Sequence, residues 1–208
     1  MSKTPRIPES VIRRLPVYLR HLEQLQERET NTISSHDLGS QLDSNPAQIR
    51  KDLAYFGEFG RKGIGYDVTY LIDKIRQILR LGRELPVALI GVGHLGIALI
   101  HYNQNKRNNL TISVAFDQSP DKIGMQIGPI VVESDKDMER RILEARVRVA
   151  IIAVPADAAQ DVVDRLATCG ISAILNFAPV SLKVPEGIQL RNADFTSELQ
   201  SLAYYAAD

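Results

Sequence analysis

The 208-residue sequence predicts an α/β chain of two unlike modules, a small helical head with a wing followed by a doubly wound parallel sheet. Three observations predict it. At Gly82-Arg83-Glu84-Leu85-Pro86 a helical period gives way to the apolar run Val87-Ala88-Leu89-Ile90, which marks a boundary. Upstream, two short helices separated by a tight turn lead into a glycine-rich basic loop. Downstream, the apolar run continues straight into Gly91-Val92-Gly93-His94-Leu95-Gly96. The expected parts are a head over 1–82, a sheet domain over 86–193 and a terminal helix over 194–208.

The head begins with Leu15, Leu19, Leu22 and Leu25, whose spacings of four and three place them on one face of a helix running to about Arg28. Pro16 either begins this helix or kinks it. Ser34 and Ser35 can cap a second helix that buries Leu38 and Leu42. After Asp43-Ser44-Asn45, Pro46 suits the first position of a third helix through Phe56, with Ile49, Leu53 and Phe56 inward. Gln48, Arg50, Lys51 and Tyr55 then face outward. A short helix, a tight turn and a second helix presenting two cations follow helix-turn-helix arithmetic. Four glycines bracket Arg61 and Lys62 between Gly57 and Tyr66, as in a wing whose tip meets a sugar-phosphate backbone or minor groove. A fourth helix over 68–81 buries Leu71, Ile72, Ile75, Ile78 and Leu79.

In the second module Gly91 permits a tight turn, Gly93 lets backbone approach a pyrophosphate, and Gly96 lets helix and strand pack closely. The next strand, Thr111 to Phe116, ends in Asp117, 21 residues beyond Gly96. A carboxylate there can bind both ribose hydroxyls of an adenosine and repel a 2'-phosphate, favouring NAD(H) over NADP(H); its other reading is a turn-forming Asp at a strand end. Strands at 130–132, 147–154 and 171–177 alternate with helices at 135–145 and 156–168, the signature of a doubly wound Rossmann sheet. Val154, Pro155 and Asn176, at carboxyl ends of strands, either line a nicotinamide pocket or serve as strand terminators. A last helix from Phe195 to about Ala206 carries Phe195, Leu199 and Leu202 on one stripe, for the core or for a second subunit.

Composition limits the function classes. Lys and Arg number 25 and Asp and Glu 25, for a net charge of +0. Residues 1–85 carry 14 cations against 11 anions and the remainder 11 against 14, so the halves have different electrostatic tasks. One cysteine, Cys169, excludes an internal disulfide and reads as a buried structural thiol; four scattered histidines offer no metal pair. No apolar run is long enough to span a membrane, and a reducing cytoplasm suits the chain. Hydride transfer needs a proton donor near the nicotinamide, and His94 and His101 suit structural roles better.

The order of these motifs resembles the Rex family of bacterial redox-sensing transcriptional repressors over about residues 7–206. The matching segments are Tyr18-Leu19-Arg20, Gln48 to Gly57, Gly63 to Tyr66, Gly91 to Gly96, Asn176-Phe177-Ala178-Pro179 and Asn192-Ala193-Asp194-Phe195. The resemblance implies a homodimer with winged-helix heads, Rossmann bodies and a domain-swapped terminal helix, gripping operator DNA when NADH is scarce and releasing it when NADH binds. It implies a relay of Arg20, Tyr102 and Asp194, and a Phe195 that approaches the nicotinamide across the dimer. It departs at His94, where relatives frequently carry Arg, which puts a direct salt bridge to the pyrophosphate in question. Two other readings stay open on the residues alone: a small NAD-dependent dehydrogenase with a helical oligomerisation head, and a CoA- or nucleotide-binding accessory domain.

Overall fold

The computed structural model describes residues 7–57, 59–61, 64–104 and 109–206. The chain divides into two compact units, Met1–Gly82 and Arg83–Asp208.

The first unit contains α1 (Glu9–Glu27), β1 (Thr32–Ile33), α2 (Ser35–Gln41), α3 (Pro46–Ala54), β2 (Gly60–Arg61), β3 (Gly65–Asp67) and α4 (Val68–Ile78). Three side chains start its helices: Ser34 accepts from the Asp37 N–H, Asn45 from that of Ala47 and Asp67 from that of Tyr70. α1 begins earlier than its leucine spacing suggests, at Glu9 behind Pro8, so Pro16 lies inside the helix and does not open it. α3 ends two residues earlier than expected, at Ala54, and hands over to Tyr55 as its C-cap. The wing forms a three-stranded antiparallel sheet in the order β1-β3-β2; the sequence pattern leaves β1 unannounced because two residues carry no period. Leu15, Tyr18, Leu22, Leu38, Ile49, Leu53, Leu71, Ile72 and Ile75, all at 2% exposure or less, make one core.

The second unit contains β4 (Leu85–Ile90), α5 (His94–Gln104), β5 (Leu110–Asp117), β6 (Gln126–Ile127), β7 (Ile130–Ser134), a 3₁₀ turn (Asp135–Asp137), α6 (Met138–Glu144), β8 (Val149–Ile152), α7 (Ala156–Thr168), β9 (Ala173–Asn176), β10 (Gln189–Asn192), α8 (Phe195–Ala203) and a closing 3₁₀ turn (Tyr204–Ala206). The sheet runs β10-β9-β8-β4-β5-β7-β6, parallel except for the β6–β7 pair. Without β6 this is the dinucleotide-binding strand order, with the reversal between β4 and β8. β6 and β10 escape a periodicity reading because both are short edge strands. Along β4, Ala88 and Ile90 join the core under α6 and α7, whereas Val87 and Leu89 join the core that contains Ile100 of α5. The alternation buries both faces of a central parallel strand.

Candidate functional site

The reversal between β4 and β8 opens a cleft of about 520 Å³ at the carboxyl ends of the strands. Much of its lining comes from three strand ends: Gly91, Gly93, His94 and Leu95 after β4, Asp117 to Ser119 at the end of β5, and Ala153, Val154 and Pro155 after β8. The volume lies in the ordinary range for small-molecule sites, and the position is where open α/β sheets take their ligands.

The glycine loop is shaped by close approaches. Gly91 has φ +96°, and a Cβ there would lie 2.5 Å from the Ala153 carbonyl oxygen. A Cβ on Gly96 would run into the Gly91 carbonyl, so the first turn of α5 can pack on the loop only through glycine. At Gly93 a Cβ would meet nothing within 4 Å, which leaves that part of the loop open to the cleft. The exposed His94 and Leu95 begin α5, whose unpaired N–H groups and positive dipole end favour an anion.

Asp117 is buried at 8% exposure. Its Oδ2 accepts from the Val92 N–H at 2.8 Å and from Lys122 Nζ at 3.0 Å, and its Oδ1 accepts from the Ser119 N–H at 2.9 Å. Burial pushes its pKa up, but these donors outweigh that and hold the carboxyl below its ordinary value. Asp117 is therefore an ionised group in the cleft wall, already engaged by three donors. Lys122, which lines the same cleft, carries no signal in sequence spacing. Arg165 was likewise unanticipated; it lines the cleft and gives Nε and Nη2 to Glu139 at 2.6 and 2.9 Å.

Other expected residues fall elsewhere. Asn176 is 1% exposed and does not line this cleft: its amide donates to the carbonyls of Ala178 and Val180 and to Asn192 Oδ1, and it accepts the Ala178 N–H. Satisfying loop backbone is thus its observed role. Phe195 sits on α8 at 74% exposure, outside the cleft lining of this chain. Asp194 caps α8, accepting from the Ser197 N–H at 3.0 Å. Tyr102 lies within α5 and is 60% exposed; Arg20 is exposed on α1. Cys169 is buried at the C-cap of α7, and burial raises its pKa.

In the head, Arg50 and Lys51 are exposed on α3 as expected, with Arg50 Nη1 donating to Ser35 Oγ at 2.8 Å. Gln48 is a correction: it is half-buried and gives Nε2 to Asp52 Oδ1 at 2.6 Å, so it does not simply face outward. Tyr55 is also half-buried. Arg61 contributes backbone to β2, and Lys62 lies outside the described residues.

Asp52 itself is the head's unanticipated group. At 0% exposure it accepts from Arg14 Nε at 2.6 Å, Arg14 Nη2 at 2.8 Å, the Tyr18 hydroxyl at 2.7 Å and Gln48. Burial pushes its pKa up, but the hydrogen bonds from Arg14, Tyr18 and Gln48 prevail and hold it low. Burial and the same carboxylate raise the Tyr18 phenol. Breaking a fully buried pair costs about 3–5 kcal/mol; the cost is smaller here because Arg14 keeps 33% of its side-chain surface. The spacing of four between Gln48 and Asp52 was the one local hint.

Comparison with known proteins agrees with both units. Residues 6–54 match the family described as putative DNA-binding protein N-terminus, and residues 83–180 match the family described as CoA binding domain. A redox-sensing transcriptional repressor Rex of Brevibacillus brevis is 51% identical over 205 residues, covering 99% of each chain. One of Roseiflexus sp. is 46% identical, covering 100% of this chain and 94% of the relative. Among solved structures, RSP in complex with beta-NAD+ and operator DNA superposes with a TM-score of 0.90 at 35% identity, over 96% of this chain and 92% of that one. RSP in complex with beta-NADH gives 0.88 at 33% identity, over 97% and 94%. RSP is itself described as a Rex-family repressor. Likeness of this extent, spanning head and sheet together, means that the chain belongs to the Rex family of redox-sensing transcriptional repressors.

Proposed function

We propose that this protein is a DNA-binding repressor that senses the NADH to NAD+ ratio, holding operator DNA when NADH is low and releasing it when NADH binds. The observation that carries this reading is the full-length likeness to a repressor solved both with NAD+ on operator DNA and with NADH. The protein is a regulator and not an enzyme, since its relatives are transcriptional repressors over their whole length. Among the described residues no helix is long and apolar enough to cross a membrane, and a cytoplasmic repressor is consistent with that.

The nucleotide would be held by Gly91, Gly93, His94 and Leu95 at the start of α5, by Asp117, and by Val154 and Pro155. An open Gly93 beside a helix N-terminus fits a pyrophosphate, and the ionised Asp117 fits ribose hydroxyls. DNA would be met by Arg50 and Lys51 in the major groove, with Gln48 and Tyr55 beside them, and by Arg61 and Lys62 on the backbone or in the minor groove. The exposed apolar stripe Phe195, Leu199 and Leu202 of α8 suits a swapped helix in a homodimer, which would bring Phe195 to the partner's nicotinamide. Two-fold symmetry implies a palindromic site with half-sites about 34–36 Å apart.

NADH and NAD+ differ by one charge at the ring, so an apolar intersubunit site prefers the neutral reduced form. That difference can move the heads only by its differential affinity for two arrangements, typically about 1–3 kcal/mol. Arg20, Tyr102 and Asp194 would form the relay between ligand and head. The decisive experiment is a titration of NADH into the protein bound to an operator duplex, with total nicotinamide fixed. Release is expected; an unchanged complex at saturating NADH overturns the reading.

A further inference from the structure

We infer that Asp52 is a positioning residue for sequence reading: by fixing the Gln48 amide it decides which hydrogen-bonding group α3 presents to a base edge. The inference rests on the reading of α3 as the helix that enters DNA. It starts from a chemical asymmetry. A glutamine amide has two nearly isosteric ends, one donating and one accepting, and when unrestrained it turns over to match either pattern. A carboxylate only accepts. Asp52 is fully buried and ionised, and it already takes two N–H groups from Arg14 and the hydroxyl of Tyr18. The end of Gln48 that lies 2.6 Å from Asp52 Oδ1 must therefore be Nε2. Turning the amide over would set oxygen against oxygen at 2.6 Å, too close for a water to fit between them.

With one Nε2 hydrogen given to Asp52 the amide cannot turn over, so Oε1 is the end of Gln48 held away from the carboxylate. Gln48 sits two residues before Arg50 and three before Lys51, the exposed cations of the same helix. An oriented amide oxygen in the major groove seeks a base donor, the exocyclic amine of adenine or of cytosine, and rejects guanine O6 and thymine O4. Arg14 and Tyr18 reach Asp52 from α1, so the first helix of the head takes part in the reading without touching a base. In this arrangement the carboxylate acts on specificity, which a residue that merely ties α1 to α3 would not do.

The test uses the full-length protein without NADH and a duplex selected by the wild type from a random-sequence pool. Affinities are then measured for that duplex and for each single base-pair change in it. Asp52→Asn offers Gln48 both an acceptor and a donor, so the amide can turn over. The expected result is a loss of about tenfold discrimination at one base pair in each half-site, an adenine or a cytosine, with the ratios at the other positions kept. Gln48→Met, which leaves Arg14, Tyr18 and Asp52 in place, should relax the same base pair and no other. If Asp52→Asn lowers the melting temperature and leaves every base ratio as in the wild type, the inference fails. Should that variant not fold, Gln48→Met still decides: unchanged ratios overturn the inference, and relaxation at one adenine or cytosine supports it. A wild type that selects no duplex at all overturns the reading of the head itself, an outcome distinct from either.

Discussion

The carboxylate of Asp117, at the end of β5, accepts the backbone N–H of Val92 at 2.8 Å and so ties the glycine loop to the neighbouring strand. The same Oδ2 takes the Lys122 ammonium, which places a cation beside the group expected to meet ribose hydroxyls.

Asp117→Ala is expected to weaken NADH binding about tenfold or more, the usual scale for losing a charged hydrogen-bonding partner. It should also relax the rejection of NADPH, because Lys122 is left without its carboxylate and can meet a 2'-phosphate. Calorimetry with both nucleotides checks this, and DNA affinity without ligand should be retained.

Lys51→Ala removes an exposed cation from α3. DNA affinity should fall, and the slope of log affinity against log salt should become shallower by about one, as expected for one lost phosphate contact. NADH affinity, measured on the same preparation, should not change.

Leu202→Glu places a charge at the C-terminal end of the exposed stripe of α8, where Leu202 is 58% exposed and Leu199 51%. The dimer proposed above should dissociate in sedimentation, and operator affinity should drop with it because two coupled heads become two independent ones. A variant that stays dimeric would place the subunit contact elsewhere.

Tyr18→Phe removes one of the donors that depress the Asp52 carboxyl. A carboxyl whose folded pKa lies below its unfolded value stabilises the fold above about pH 4, and that contribution is lost as pH falls through the folded pKa. Wild type should exceed Tyr18→Phe by about 1.5–3 kcal/mol near neutrality, the scale of a hydrogen bond to a charged group. The gap should narrow in acid below about pH 4. Thermal melts between neutrality and acid measure it.

Much of the molecule was legible locally. Ser34 and Asn45 were readable as helix starts because a cap acts over two or three residues, and each does accept the expected backbone N–H. Gly91 and Gly96 were readable because the need for glycine there is steric and set by a strand-turn-helix spacing. Two residues are engaged by partners that local pattern does not name, and for one reason. Gln48 looks outward on a helical wheel, but its amide is drawn to a buried acceptor. Asn176 lies at the carboxyl end of a strand as a ligand-binding residue would, yet the carbonyls of Ala178 and Val180 claim it. A wheel or a strand end states direction, whereas hydrogen-bond demand inside the fold decides engagement.

The amino-acid order by itself determined the two modules, the glycine loop and the acidic end of the second sheet strand, since each depends on contacts within a few residues or on a repeating apolar period. Only the tertiary structure decided the partners of the buried charges. Arg14 reaches Asp52 across 38 residues, and Val92 reaches Asp117 across 25. Such pairings carry no periodic trace along the chain, because a carboxylate removed from water takes whatever donors the packing of distant elements brings within reach.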